Sequence, residues 1–287
     1  MDDPGTNLGV CFSAGNLYYA VSDPEADKQL TYIGAIEFNF DVHESLVTRS
    51  EDSFPAVLDS VKELKDQYHI NRIRLQTHPV HECWSILPKL IYDKADEREA
   101  YLNILMRGID RRLIEPFWFG LSNQNFKLLL VRNKKVMEGY RKLSNPIGSG
   151  EFFSDFELGQ QWTQHTGQKG SFMTVSIHRN LVSIASFLLG KMRSATYIKF
   201  DDLIDLPYLW LQKAEHLKWL HGLHEYIYVY GDQTDQLIDV LEPYWDDAAS
   251  ICLLNSLDKM KIDAPERNYN FPLTRAFPAI LMAVGNF

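Results

Sequence analysis

Cysteine is scarce in this 287-residue chain: Cys11, Cys83 and Cys252 are its only three, and they lie far apart. An odd, scattered set excludes a disulfide framework and fits a reducing compartment. Basic surface is also short, with 29 Lys and Arg against 38 Asp and Glu and a formal charge of -9. Nucleic-acid binding demands a concentrated basic face, so a nucleic-acid partner is not expected. The run "RNKK" at 132–135 is too short to supply one and reads as a solvated helix start. No window reaches the roughly 18 continuous apolar residues of a membrane span, so no transmembrane segment is expected. The opening "MDDPGTNLG" is acidic and has no apolar signal segment, so a cytoplasmic location is expected.

Catalytic fingerprints are missing as well. The chain contains no P-loop, no G-x-S-x-G elbow and no dinucleotide fingerprint. His78, His81 and Cys83 in "THPVHEC" are three potential zinc ligands within six residues, with His43 or Cys252 as a conceivable fourth. They lack the paired short spacings of a structural zinc site, so a loop is expected there and no metal. His216, His221 and His224 carry no H-x-x-x-H with a catalytic glutamate and are expected to pack or cap a helix.

What the sequence has is ordinary globular composition, 45% hydrophobic and 23% charged, and a pattern of strands and helices that occurs twice. "LGVCFS" (8–13) and "LYYAVS" (17–22) flank "AGN", where Gly15 and Asn16 tolerate the positive angles of a tight hairpin. "TYIGAIEFNF" (31–40) supplies a third strand after a turn at 23–29. A helix with Val57, Val61, Leu64 and Tyr68 on one stripe follows, with Ser53 as its cap, and "RIRLQT" (72–77) returns to the sheet. A helix at 93–113, the interruption "PFWFG", a buried strand at 126–133 and a further helix complete the half. "SNPIGSGE" (144–151) concentrates breakers, which divides the chain into an N-terminal lobe, 1–150, and a C-terminal lobe, 151–287. A polar helix at 151–165 is expected to bridge them.

The second half repeats the order: strands at 171–178 and 180–190 turning at His178-Arg179, a third strand "ATYIKF" (195–200), a helix capped by Asp205, the strand "EYIYVYG" (225–231), a helix capped by Thr234, and the strand "ASICLLN" (249–255). Pro278 is expected either in the first turn of a last helix or at a kink. Asn16-Leu17 and Asn180-Leu181 lie 164 residues apart, and Thr31-Tyr32-Ile33 and Thr196-Tyr197-Ile198 lie 165 apart. These pairs read as equivalent places in a duplication.

Two copies of hairpin, third strand, helix, strand, helix, strand resemble the actin, sugar-kinase and Hsp70-type superfamily. The chain also resembles a bacterial family of unknown function with that fold, and the pilus-assembly and secretion proteins that share it. The resemblance implies an α/β protein with duplicated ribonuclease-H-like lobes, the actin-like ATPase fold. It also implies a cleft in which each hairpin turn offers amides to phosphate, with a carboxylate to organise hydrated magnesium. Here the first turn, "CFSAGNL", keeps Gly15 and Asn16 but has Ser13 in the region expected to be acidic. The second, "SIHRNL", offers His178 and Arg179 and neither an acid nor a glycine. "VYGDQTDQL" supplies Gly231 and Asp232 at the turn that would meet adenosine. Those seven residues are the candidate nucleotide-binding set, and no catalytic residue is assigned. The expectation is a degenerate member, without cofactor, acting through a protein partner or self-association. The alternative is a divergent ATPase that binds ATP and magnesium. "PFWFG" and "YIYVY" are aromatic stretches suited to a partner surface.

Overall fold

The computed structural model of the chain describes residues 6–23, 29–120, 125–148, 150–265 and 271–285. The first half begins with strands β1 (Thr6–Ser13), β2 (Asn16–Ser22) and β3 (Leu30–Glu37), then helices α1 (Val42–Thr48) and α2 (Ser53–Tyr68), and returns through β4 (Ile70–Thr77). Most of the turn expected at 23–29 lies outside the described residues. Strand β4 runs parallel to β1, whereas β1, β2 and β3 pair antiparallel. Helix α2 forms because Phe54, Val57, Val61 and Leu64 make one buried stripe. Its cap position is Asp52 and not Ser53; the Ser53 amide is met by the Ser50 hydroxyl at 3.2 Å.

An insertion follows: β5 (Glu82–Pro88), α3 (Lys89–Tyr92), α4 (Ala95–Leu105), β6 (Ile114–Gly120) and β7 (Phe126–Asn133). Its strands make a separate sheet in the order β5-β7-β6. The stretch expected as a loop at 77–83 is a short turn between β4 and β5, with Pro79–His81 in a 3-10 helix and only Glu82 and Cys83 in β5, whereas the interruption "PFWFG" is a strand. Phe119 packs on the largest core and Trp118 on the insertion's own, while the Arg132 guanidinium lies 5.2 Å from the Phe117 ring. Helix α5 (Lys134–Ser144) leads to β8 (Gly150–Ser154), which joins the first sheet beside β4. The polar helix expected over 151–165 is thus a strand followed by the shorter α6 (Leu158–Thr166), and residue 150 opens a strand of the first sheet.

The second half contains β9 (Phe172–His178), β10 (Leu181–Leu188), β11 (Lys191–Lys199), α7 (Leu206–His216), β12 (Tyr226–Gly231), α8 (Thr234–Leu241), β13 (Ser250–Leu253), α9 (Leu257–Met260) and α10 (Leu273–Val284). The two large sheets have the same order: β3-β2-β1-β4-β8 and β11-β10-β9-β12-β13. Pro278 lies in the interior of α10, neither in its first turn nor ending it. Asp202, and not Asp205, receives a backbone amide before α7, and Gln233 holds the cap position ahead of Thr234.

The matching architecture does not rest on the matching tripeptides. Ser13 pairs with Asn16 and His178 with Leu181, so Asn16 corresponds to Leu181, and Asn180 stands in the turn. Tyr19 pairs with Gly34 and Ile184 with Thr196, so Thr196 corresponds to Gly34 and not to Thr31. Position and element order carried the repeat; the shared letters are coincidental.

Three large cores result. One lies between the first sheet and α1, α2 and α5, and another between the second sheet and α7 and α8. The largest fills the space between the sheets: α6 and α10 place Leu158, Trp162, Phe277 and Ile280 against Cys11, Tyr18, Phe172 and Phe187. Each such side chain contributes roughly 1.5–3 kcal/mol when fully buried. The chain's last helix thus packs on strands of both sheets, which brings the two hairpin turns to one place.

Candidate functional site

The site is built where the β1–β2 turn meets the β9–β10 and β12–α8 turns. Ser13 ends β1, and its hydroxyl donates to Asp232 Oδ2. Asp232 Oδ1 accepts from Arg275 Nε of α10 at 2.8 Å, so one carboxylate ties a first-lobe turn to the last helix. Gly231 makes this turn at φ 107°, and the Asp232 amide donates to the Ile177 carbonyl at 3.0 Å. A β-carbon on Gly231 would overlap the Ile177 backbone. Gly231→Ala is accordingly expected to lower stability by about 1–3 kcal/mol, read as a lower urea midpoint with an unchanged slope.

Gly15 and Asn16 do not touch that carboxylate. The positive angle expected of them falls on Ala14, at φ 52°. Gly15 is needed instead for close approach: its carbonyl accepts from the Phe38 amide at 2.7 Å, and an added β-carbon would sit 2.7 Å from the Phe38 oxygen. Asn16 opens β2 opposite Glu37. In the facing turn the positive angle falls on Arg179, at φ 55°. Its guanidinium pairs with Asp41, which also accepts from the Glu44 amide at 3.0 Å to cap α1. The second lobe's hairpin is therefore held against the first lobe's first helix.

His178 is buried rather than projecting from an exposed hairpin. Its Nε2 lies 3.4 Å from Asp155 Oδ1. Asp155, 2% exposed, also receives Gln76 Nε2 at 2.6 Å, the Ser176 hydroxyl at 2.6 Å and the Tyr230 hydroxyl at 3.1 Å. These donors come from β4, β9 and β12, so one carboxylate between the lobes gathers both sheets. Burial would raise the Asp155 pKa, but the His178 charge and the hydroxyl donors hold it below the ordinary carboxylate value. Burial opposes the His178 imidazolium, while Asp155 raises its pKa above the usual imidazole value. Each group thus favours the charged form of the other.

Around it stand two more histidines. The His43 and His78 rings lie 4.4 Å apart, and His78 lies 5.7 Å from His178. Burial pushes His43 down to about 4 and His78 well below its ordinary value, with the neighbouring histidines acting in the same direction. Both are thus neutral at neutral pH, beside a His178 whose pKa is shifted the other way. The space bounded by Phe12, His43, Gln76, His78 and His178 leaves no room for a water molecule. His81 and Cys83 lead away from it into the insertion. Among the described residues no group of three or more His, Cys, Asp or Glu is placed to hold a metal ion.

A second buried network backs the insertion. Arg132 Nε donates to Glu82 Oε1 at 2.7 Å, and Glu82 also accepts from the Thr77 and Ser154 hydroxyls. Burial raises Glu157, beside Arg132, to about 7.

The structure thus brings Ser13 to Asp232 across the lobes and carries His178 and Arg179 to Asp155 and Asp41. Asp41, Gln76, Asp155 and Arg275 are site residues that the sequence pattern does not single out, and His43, considered there only as a metal ligand, packs beside His78 instead. One signal was readable: Ser154 and Glu157 form a capping box that marks where the chain turns between β8 and α6.

Two equal-order sheets with paired hairpins facing each other can be compared with known structures. A Bacteroides thetaiotaomicron protein described as having an actin-like ATPase fold and unknown function superposes with a TM-score of 0.54, at 13% identity over 88% of this chain and 91% of that one. The chain has the actin-like ATPase fold. Within that fold, a structure of the PilM–PilN type IV pilus biogenesis complex gives a TM-score of 0.69, at 10% identity over 98% of this chain and 99% of that one. The ethanolamine utilization protein EutJ from Carboxydothermus hydrogenoformans gives 0.50 at 9% identity over 99% and 91%. No protein-family model and no curated protein sequence matches this chain. No helix among its described residues is long and apolar enough to cross a membrane.

Proposed function

We propose that this chain is a degenerate actin-like protein that works through protein contacts in a cytoplasmic assembly, without efficient ATP hydrolysis. The link Ser13–Asp232–Arg275 carries the reading. Metal-dependent phosphoryl transfer needs carboxylates or fixed cations turned toward phosphate. Here the acids nearest the turns are already engaged: Asp232 by Ser13 and Arg275, Asp41 by Arg179, and Asp155 by its donors from both sheets. Opening the turns to admit a triphosphate would break these bonds and leave buried charge unpaired.

Exposed apolar side chains support the second half of the reading. Ile204, Tyr208 and Leu211 lie exposed in and just before α7, and Leu90 and Ile104 on the insertion's helices. Apolar groups grouped on an exposed face suit a protein partner. A PilM protein of the same fold is known in complex with PilN, which accords with an assembly role here.

Titration calorimetry with ATP and magnesium is expected to show no magnesium-dependent heat on the folded chain. Micromolar binding that depends on magnesium, followed by phosphate release, would replace this reading with that of a divergent ATPase.

A further inference from the structure

A groove lies away from the hairpin junction, between the insertion and the second lobe. It encloses about 630 Å³ and is walled by residues 82–86 on one side and 194–197 on the other, with α7 contributing Lys213 and His216 and its cap residue Leu217 closing the end. That volume is in the range of binding clefts, roughly 300–1,000 Å³.

Its walls are consecutive residues because both are sheet edges. Strand β5 ends the order β5-β7-β6, and β11 ends the order β11-β10-β9-β12-β13. Each pairs on one side only, so each turns a row of backbone donors and acceptors toward the groove. Two sheet edges facing one groove present complementary hydrogen-bonding groups to a single strand placed between them.

The charge of the groove selects among strands. Lys213 and His216 line it, and β11 carries Lys191, Arg193 and Lys199 with no acidic residue. The one carboxylate in the lining, Glu82, is spent on Arg132, Thr77 and Ser154. A basic edge on a protein of formal charge -9 is a local exception. Lysines on an edge strand also discourage unspecific strand pairing, which favours a partner that neutralises them.

We propose that an extended, acidic segment of a partner protein binds here by strand addition, pairing with β5 and β11 at once and joining the insertion sheet to the second-lobe sheet. This rests on the reading that the chain works through protein contacts, and it names the surface and the chemistry of the contact. Main-chain pairing supplies affinity in such complexes, and side-chain charge supplies selectivity.

The test uses the full chain and phage-displayed random dodecapeptides selected on it. Enriched peptides are expected to be acidic and β-branched, and to slow amide exchange at 83–86 and 194–197. The double variant Lys213→Glu, His216→Glu should weaken them by about tenfold or more at an unchanged thermal midpoint. Methylating either alternate set of peptide amides should cost about tenfold or more, because a strand between two edges uses both sets, whereas a strand on one edge uses only one. Enriched peptides that protect other surfaces, or that ignore the charge reversal, would overturn the groove while leaving the protein-contact reading intact. A selection that enriches nothing would also overturn it. Magnesium-dependent ATP binding would instead strike the underlying reading, whatever the peptides do.

Discussion

Replacing Asp155 with alanine is expected to lower the unfolding free energy by about 3–5 kcal/mol, the cost of removing one partner from a buried ion pair. The variant would leave the His178 imidazole, the Gln76 amide, and the Ser176 and Tyr230 hydroxyls around a cavity without the carboxylate they now share. An unpaired charge would force His178 to titrate below its ordinary value, reversing the direction it now has. Urea denaturation followed by tryptophan fluorescence measures the loss. NMR titration of His178 supplies a second readout that general weakening of the core would not move. A loss under about 1 kcal/mol would mean that Asp155 does not gather the two sheets.

Acidification provides the second large effect. His43 takes up a proton near 6.5 when unfolded and only at about 4 when folded. As pH falls through 6.5 the unfolded state binds the proton first, so stability declines until the folded value is reached. Full burial would make this about 3 kcal/mol, and the partial exposure of the ring reduces it to about 2. His78 acts in the same direction. Asp155 has a depressed pKa, so its contribution is present above the ordinary carboxylate value and is lost as pH falls through the folded one. His178 behaves oppositely: its pairing is fully present below 6.5 and is lost as pH rises through its raised folded value. Maximum stability is therefore expected near neutrality, with the steeper fall on the acid side. Urea midpoints across the acid range measure it, and His43→Asn should flatten the limb between 6.5 and 4. An equally steep limb in that variant would remove His43 from the effect.

Much of the architecture was legible because strands and helices announce themselves by period. The hairpins, α2, β12 and α8 follow from alternation and buried stripes that local chemistry dictates. The insertion was less legible. "ECWSILP" has a continuous mixture of small, aromatic and apolar residues, and it is a strand only because β7 lies beside it. "GEFFS" is likewise a strand because it finds β4. Of the two places expected for Pro278, the first turn is excluded: it stands in the helix interior, where a proline is costly in solution, held by a helix buried between two sheets.

The candidate site was legible only in halves. Hairpin topology pointed to Ser13, His178 and Arg179, and the turn after β12 to Gly231 and Asp232, yet nothing local says which partner each will meet. Asp41, Asp155 and Arg275 stand 138, 23 and 43 residues from Arg179, His178 and Asp232, and only folding brings these partners together. Distances of that kind leave no periodic trace.

The contact between the turns can be read in one experiment, a double-mutant cycle on Ser13→Ala and Asp232→Asn followed by chemical denaturation. A hydrogen bond to a carboxylate across the lobes predicts a coupling of about 1–2 kcal/mol. Coupling within about 0.3 kcal/mol of zero would mean that the two turns stand apart, and the cleft between the lobes would then be free for a nucleotide.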